Sequence, residues 1–139
     1  RSFCHEPYMR RSRISLWRSR SSLFYAARIR LSGIDCPEKG QAYGKHGKHA
    51  ASDLVFGKEI TIQTHGHDKY KCILGDVILP DGMNLNQELV KQGWCWWYRK
   101  YAPGDTVLEG LEAEAREAKR GLWADPQPVP PWEWRKRSR

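Results

Sequence analysis

The stretch from Arg30 to Glu38 constrains the fold more than any other part of the chain. It reads Arg-Leu-Ser-Gly-Ile-Asp-Cys-Pro-Glu. The apolar residues Ile29 and Leu31 alternate with polar ones, which is typical of a half-buried strand and places Arg30 on the face opposite them. The strand ends at Gly33, a residue that favours a turn. We therefore expect a guanidinium on one face of a short strand that stops abruptly.

Two carboxylates follow this strand closely. Pro37 fixes its own φ and favours an extended Cys36, so Asp35 and Glu38 lie on a stiff turn. One acid can hold a hard cation, the other can accept a proton from water, and Arg30 can bind a phosphate through two parallel hydrogen bonds. The alternative is structural, with both acids capping the turn and pairing with Arg30 on the surface.

Further motifs follow in a fixed order along the chain. Together with the first stretch, they resemble the staphylococcal nuclease-like (thermonuclease) family over roughly residues 28 to 135. These motifs are Gly40 to Gly44, Asp68-Lys69-Tyr70, Leu85 to Val90, Tyr98 to Tyr101, Gly121-Leu122-Trp123 and the Pro-Pro-Trp-Glu-Trp segment near the C-terminus.

The resemblance implies a fold and an activity. The fold is α+β and mainly β, a five-stranded OB-type barrel with three helices. The activity is that of a Ca²⁺-dependent endonuclease, which hydrolyses phosphodiester bonds of DNA and RNA, in single strands or frayed ends. The family further suggests a monomer of secreted or periplasmic origin.

Roles for individual residues are likewise implied by the resemblance. Asp35 and the backbone carbonyl of Cys36 would hold Ca²⁺, Glu38 would be the general base, and Arg30 would neutralise charge on the phosphate. The positions expected to contact the nucleotide are Lys69, Tyr70 and Tyr101.

The chain departs from the family pattern at two functional positions. Residues 7 to 34 contain no Asp or Glu, so the second metal carboxylate of the family's first strands is missing. Cys72 stands at the position where the family has a second arginine that binds the phosphate. A thiol offers one weak hydrogen-bond donor, whereas a guanidinium offers five in a fixed geometry. Removing one hydrogen-bond donor that stabilises the charge of the transition state typically lowers the rate by about 10² to 10³. We therefore expect activity several orders of magnitude below that of an intact family member.

The charge distribution separates an N-terminal arm from the rest. The formal net charge is +8 at pH 7. Residues 1 to 28 contribute +6 of this, with seven Arg, no Lys and one acid. We expect this arm to replace the family's first strands, either as a basic disordered segment or as a hairpin of two short apolar runs. The abrupt change in the Arg-to-Lys ratio also suggests an arm encoded in a shifted upstream reading frame.

The arm precedes a nuclease-like domain, residues 29–124, and a basic Pro/Trp-rich tail, residues 125–139. The first residue is Arg, so an initiator Met and any signal peptide are absent from this sequence. No apolar run approaches the ~20 residues of a membrane span. The four cysteines show no C-x-x-C spacing, and free thiols are expected because family members do not depend on disulfides. A basic excess of this kind favours polyanionic partners such as nucleic acid.

Helices are predicted at residues 41–56, 85–92 and 106–120, and strands at 58–64, 72–79 and 94–98. In the last helix, Thr106 and Glu109 have the form of a capping box and Gly121 that of a C-cap. Its acidic residues, Glu112 among them, are predicted to form a solvated face, whereas the Trp residues near 96 are predicted to be core. His46 and His49, at a spacing of three, are a weak alternative metal pair.

Two other functions remain open from the sequence. The first is a catalytically inactive OB-type module that binds single strands or ends through a basic surface. The second is a defective family member whose barrel is incomplete.

Overall fold

The computed structural model describes residues 17–18, 24–25, 29–67 and 72–137. Within this part of the chain there are four α-helices: α1 (Gly44–Val55), α2 (Leu85–Lys91), α3 (Thr106–Glu117) and α4 (Pro131–Arg137). A short 3₁₀ helix spans Gly121–Ala124. The strands are β1 (Trp17–Arg18), β2 (Phe24–Tyr25), β3 (Ile29–Leu31), β4 (Ile34–Asp35), β5 (Thr61–His67), β6 (Ile73–Ile78) and β7 (Trp96–Trp97).

The strands form three small sheets. The central sheet has the order β3-β6-β5, with β3 parallel and β5 antiparallel to β6. β4 pairs antiparallel with β7, and β1 pairs antiparallel with β2. The α+β class is therefore confirmed. The predicted closed five-stranded barrel is not, because no sheet of the described residues closes on itself.

Asn86 ties helix α2 to the central sheet. Its side chain is 2% exposed. Its Nδ2 donates to the carbonyl oxygens of Ser32 and Gly75 at 3.0 and 3.2 Å, and its Oδ1 accepts the N–H of Val77 at 3.3 Å. Because a buried amide must find partners, this contact fixes how α2 packs on the sheet. Leu85, Leu89 and other apolar side chains complete the core between α2 and the sheet.

Helix α3 uses an acid that the sequence predicts to be solvated. Glu112 is only 5% exposed. Its Oε2 accepts the backbone N–H of Trp97 at 2.7 Å, and its Oε1 accepts from Arg116 at 2.8 Å. The prediction of a solvated face was therefore wrong at Glu112. The reason is that the backbone N–H of Trp97 in β7 needs a hydrogen-bond acceptor, and Glu112 of α3 supplies it. The prediction that Trp96 and Trp97 belong to the core is confirmed, since both are 6% exposed.

Replacing Glu112 with Ala should lower the free energy of unfolding by about 1–3 kcal/mol, because the buried N–H of Trp97 would lose its acceptor. Chemical denaturation measures the loss. Glu114→Ala on the same helix is the matched control, since Glu114 is exposed and should change stability little. Equal losses in both variants would show that Trp97 does not depend on Glu112.

The ends of the helices correct two sequence predictions. Asp105, not Thr106, caps α3, and its side chain accepts the N–H of Leu108 at 3.0 Å. The helix ends at Glu117 with Ala118 as its C-cap, and Gly121 instead begins the 3₁₀ helix.

The Pro/Trp-rich segment forms the fourth helix, whereas the sequence predicted three helices and a tail. Helix α4 begins at Pro131. A proline is favourable in the first turn of a helix, where its missing N–H has no intrahelical partner to lose. No helix within the described ranges is both long and apolar enough to cross a membrane.

Candidate active site

The two acids of the opening motif lie at the end of the β3-turn-β4 unit. Gly33 makes the turn with a φ of +75°. A Cβ there would lie 3.1 Å from both Ala102 and Leu108, so the turn also packs tightly against the start of α3. Asp35 is the last residue of β4 and is 5% exposed, and Glu38 is 5% exposed as well. The alternative of surface acids is therefore wrong, because both carboxylates are buried.

A disulfide bond joins Cys36 to Cys95 beside these acids. In the antiparallel register of β4 and β7, Ile34 faces Trp97 and Asp35 faces Trp96. The next step of this register places Cys36 opposite Cys95, which explains why the two sulfurs meet. Cys72 is also disulfide-bonded, and none of the described cysteines is a free thiol. The expectation of free thiols was therefore wrong.

Replacing both Cys36 and Cys95 with Ser should lower the free energy of unfolding by about 2–4 kcal/mol, because the bond closes a long loop. The two residues are 59 positions apart. A thermal melt with and without reductant measures the effect. In the double variant, reductant has no bond to break between these two positions. A double variant that melts at the same temperature as the non-reduced wild type would contradict the prediction.

Glu38 is held in place by its own turn and by the start of α1. Gln41 is buried, and its Oε1 accepts the backbone N–H of Glu38 at 3.0 Å. Gly44 lies directly against the Glu38 carbonyl, so a Cβ at this position would collide with it. The backbone that carries Glu38 is thus fixed on both sides.

Arg135 of helix α4 bridges the two acids. Its Nη2 donates to Asp35 Oδ2 at 2.6 Å, and its Nη1 donates to Glu38 Oε1 at 2.7 Å and to Asp35 Oδ1 at 3.3 Å. The exposed fractions of the three side chains are 11% for Arg135, 7% for Asp35 and 6% for Glu38. This is a buried, partly bidentate ion pair, a strong and geometrically specific arrangement.

The environment shifts the ionisation of both partners. Burial raises the pKa of the Asp35 carboxyl above its ordinary value, although the hydrogen bonds and charge of Arg135 and the charge of Arg30 oppose this rise. Burial lowers the pKa of Arg135, but its hydrogen bonds to Asp35 and Glu38 outweigh that effect and the net pKa is raised. Arg135 therefore stays charged at every pH at which the protein is folded.

Arg30 contacts Tyr101 at the rim of the site. Its guanidinium carbon lies 4.3 Å from the centre of the Tyr101 ring. A hydrogen bond from Arg30 lowers the pKa of the Tyr101 hydroxyl, against the smaller effect of burial. Tyr101 is 50% exposed. The structure thus brings together four of the residues selected from the sequence: Arg30, Asp35, Glu38 and Tyr101.

The other positions predicted from the sequence are not seen at this site among the described residues. Lys69 and Tyr70 lie outside the described residues. Cys72, which the resemblance places at the position of a second phosphate-binding arginine, is fully buried and disulfide-bonded. Replacing it with Arg would bury a charge and break a covalent bond. His46 stacks on Trp94 with ring centres 5.6 Å apart.

Arg135 is the site residue that sequence reasoning missed. The sequence predicts a basic tail for the C-terminal segment. Nothing in the sequence distinguishes Arg135 from the other arginines of that tail. One local signal was available, because Trp132 and Trp134 flank this position and large aromatic side chains tend to be buried. Their presence argues against a solvated tail and for a segment packed on the domain.

The arrangement does not fit a resident calcium ion. Calcium takes six to eight oxygen ligands, several of them carboxylate oxygens. Here the only two carboxylates of the motif are both bonded to a guanidinium. Within the described ranges, no group of three or more His, Cys, Asp or Glu side chains is close enough to hold a metal.

Comparisons with known proteins place the chain in a family. A family model described as "Staphylococcal nuclease homologue" matches residues 28–125. An "Uncharacterized endonuclease" of Escherichia coli is 51% identical over 112 residues, which cover 81% of this chain and 72% of that protein. A "Micrococcal nuclease" of Shigella flexneri is 37% identical over 121 residues, which cover 81% of this chain and 70% of that protein. The chain therefore belongs to the staphylococcal nuclease family, as the resemblance predicted.

Proposed function

We propose that this protein hydrolyses phosphodiester bonds of DNA and RNA, slowly, at the site formed by Arg30, Asp35 and Glu38. The observation that carries the proposal is that the motif's two acids lie buried together at the end of β4, with Arg30 and Tyr101 at the rim. Membership of a nuclease family, with relatives named as endonucleases, supports the same chemistry.

Each side chain suits one part of the reaction. Glu38, once its contact with Arg135 is released, can accept a proton from the attacking water. Arg30 can donate two parallel hydrogen bonds to phosphate oxygens and stabilise the charge that develops there. Tyr101 is half exposed beside Arg30, so its ring can stack on a base next to the bound phosphate.

Slow turnover follows from the residues that the site lacks. A second clamp arginine is replaced by the buried Cys72, and removing a donor of that kind typically costs about 10² to 10³ in rate. The calcium ion that the resemblance implies has no fitting ligand set in this arrangement, so no step of the reaction is assigned to it. The cleavage assay therefore compares rates in Ca²⁺ and in EDTA.

The test is cleavage of end-labelled single-stranded DNA and RNA by the wild-type chain and by Asp35→Asn, in Ca²⁺ and in EDTA. We expect slow cleavage by the wild type and none above background by the variant. Cleavage at equal rates by both proteins would place the activity elsewhere, in a contaminant or in another part of the chain.

A nucleic-acid-binding module without catalysis is the second candidate. The observation that favours it is that Arg135 neutralises the acids that catalysis would need. The net charge of +8 suits a polyanionic ligand. This function predicts salt-dependent binding of single-stranded DNA with no cleavage in either Ca²⁺ or EDTA.

A further inference from the structure

A cavity lies between β7, helix α3 and helix α4. Its volume is about 370 Å³. Pockets that bind small organic ligands typically measure about 300–1,000 Å³, so the cavity has room for one nucleotide base with part of its sugar. Four aromatic rings line it: Trp96, Trp97 and Tyr98 at β7, and Trp132 of α4. Aromatic walls of this kind suit a flat aromatic ligand.

Three cationic side chains line the same cavity. They are Arg99, Lys100 and Arg116, and all three are exposed. The guanidinium carbon of Arg99 lies 5.0 Å from the centre of the Trp97 ring, and that of Arg116 lies 4.2 Å from the centre of the Trp123 ring. Because each guanidinium rests on an indole, both charges are held in place beside the cavity.

One acid is found among the described residues that line the cavity, and it is already bonded. Glu112 is 5% exposed, accepts the backbone N–H of Trp97 at 2.7 Å and pairs with Arg116 at 2.8 Å. No acid within the described ranges forms an ion pair with Arg99 or Lys100. The cavity therefore carries an excess of positive charge that an anionic ligand can neutralise.

Touching aromatic rings connect the cavity to the proposed active site. The Tyr98 ring stacks on Trp132 with centres 5.0 Å apart, and it meets the edge of Tyr101 at 4.7 Å. Tyr101 in turn contacts Arg30 at 4.3 Å. A strand whose phosphate is bound by Arg30 therefore reaches the cavity by passing along these rings.

We propose that this cavity binds a second, unstacked nucleotide of a single-stranded nucleic acid, close to the bond that is cut. The base enters among the aromatic rings, and its phosphate contacts Arg99 and Lys100. A base inside a duplex is stacked and paired, whereas a single strand or a frayed end can place a base in a pocket at little cost. The proposal deepens the function proposed above, from which it takes its substrate class.

The first test is binding of a fluorescein-labelled oligothymidylate of about eight nucleotides, a length typical for one single-strand-binding domain. Fluorescence anisotropy is measured in EDTA, and the oligonucleotide is checked for intact length after the titration. The proteins are the wild type, Arg99→Gln and Arg120→Gln. Arg120 is the matched control, because it is exposed and does not line this cavity.

Arg99→Gln should bind this single strand about tenfold more weakly than the wild type, because a charge-assisted bond to phosphate is lost. The slope of log affinity against log salt should become shallower by about one. Arg120→Gln should match the wild type in both measurements. If the two variants bind equally well, the cavity is not the binding position and the proposal fails.

The second test changes the aromatic wall at Trp132. In Trp132→Leu an apolar side chain still fills the space but the ring is lost, whereas Trp132→Phe keeps a ring. We expect Trp132→Leu to bind the single strand about tenfold more weakly and Trp132→Phe to stay near the wild type. Binding of the duplex with the complementary strand should be the same in all three proteins. A folded Trp132→Leu protein with unchanged single-strand affinity, or with equal losses on both ligands, would overturn the proposal.

Cleavage by the same proteins distinguishes this proposal from the proposed function. If the variants lose single-strand affinity as expected but the wild type cuts no DNA, the cavity remains a strand-binding site and the nuclease activity fails. If the wild type cuts DNA while Arg99→Gln and Trp132→Leu bind it as tightly as the wild type, the nuclease activity remains and the role of the cavity fails.

Discussion

Arg135→Gln should lower the free energy of unfolding by about 3–5 kcal/mol at pH 7, because it leaves two buried carboxylates without their counter-charge. The wild-type bonds are short, and the side chain of Arg135 is 11% exposed. Urea denaturation at pH 7 measures the loss. Arg137→Gln is the control, since its exposed side chain should contribute little.

The same loss should shrink as the pH falls towards about 4. Asp35 already has a pKa raised above 3.8 by burial, and removing Arg135 removes the hydrogen bonds and charge that hold it down. A carboxyl whose pKa is raised in the folded state stabilises that state at low pH and loses the contribution as pH rises through the folded pKa. The variant should therefore approach the wild type near pH 4 and diverge from it above.

Several charged groups around Asp35 bear on this pH profile. Arg135 and Arg30 lower its pKa, while Glu38 lies on the other side of the Arg135 guanidinium. Burial raises the pKa of the neighbouring Tyr98, so that hydroxyl stays neutral throughout the range. A stability difference between wild type and variant that is the same at pH 4 and pH 7 would show that the Arg135 contact is not an ion pair in solution.

Glu38→Gln should reduce the rate of DNA cleavage by about 10²–10⁴, the usual contribution of a general base. The comparison is best made in the Arg135→Gln background, because Glu38 also bonds Arg135 and its loss alone would loosen helix α4. The measurement is single-turnover cleavage of labelled single-stranded DNA by Arg135→Gln and by the double variant. Glu114→Gln, exposed on α3, is the matched control.

The pH dependence of that rate gives an independent readout. A general base that must be ionised produces a rate that rises with pH up to its pKa, and the rising limb should vanish in the double variant. A double variant that cleaves as fast as its parent would exclude Glu38 as the base. Proton transfer would then be the role of another group near Arg30.

The local elements of this protein could be predicted well from the sequence. The alternation around Ile29 and Leu31, the turn at Gly33 and the helix spanning Leu85–Lys91 all follow from periodicity and turn chemistry, which act over a few residues. The motif that begins at Arg30 also indicated the correct family and brought two acids together. Their closeness depends on a stiff turn, which the sequence encodes through Pro37.

Only the tertiary structure decided what those acids contact. Arg135 is 100 positions from Asp35 and 97 from Glu38, and no local pattern relates residues so far apart. The Cys36–Cys95 disulfide depends in the same way on the register of β4 against β7. The physical reason is that periodicity and turn chemistry specify faces and bends, whereas the contacts of a buried side chain depend on which faces meet after the chain has folded.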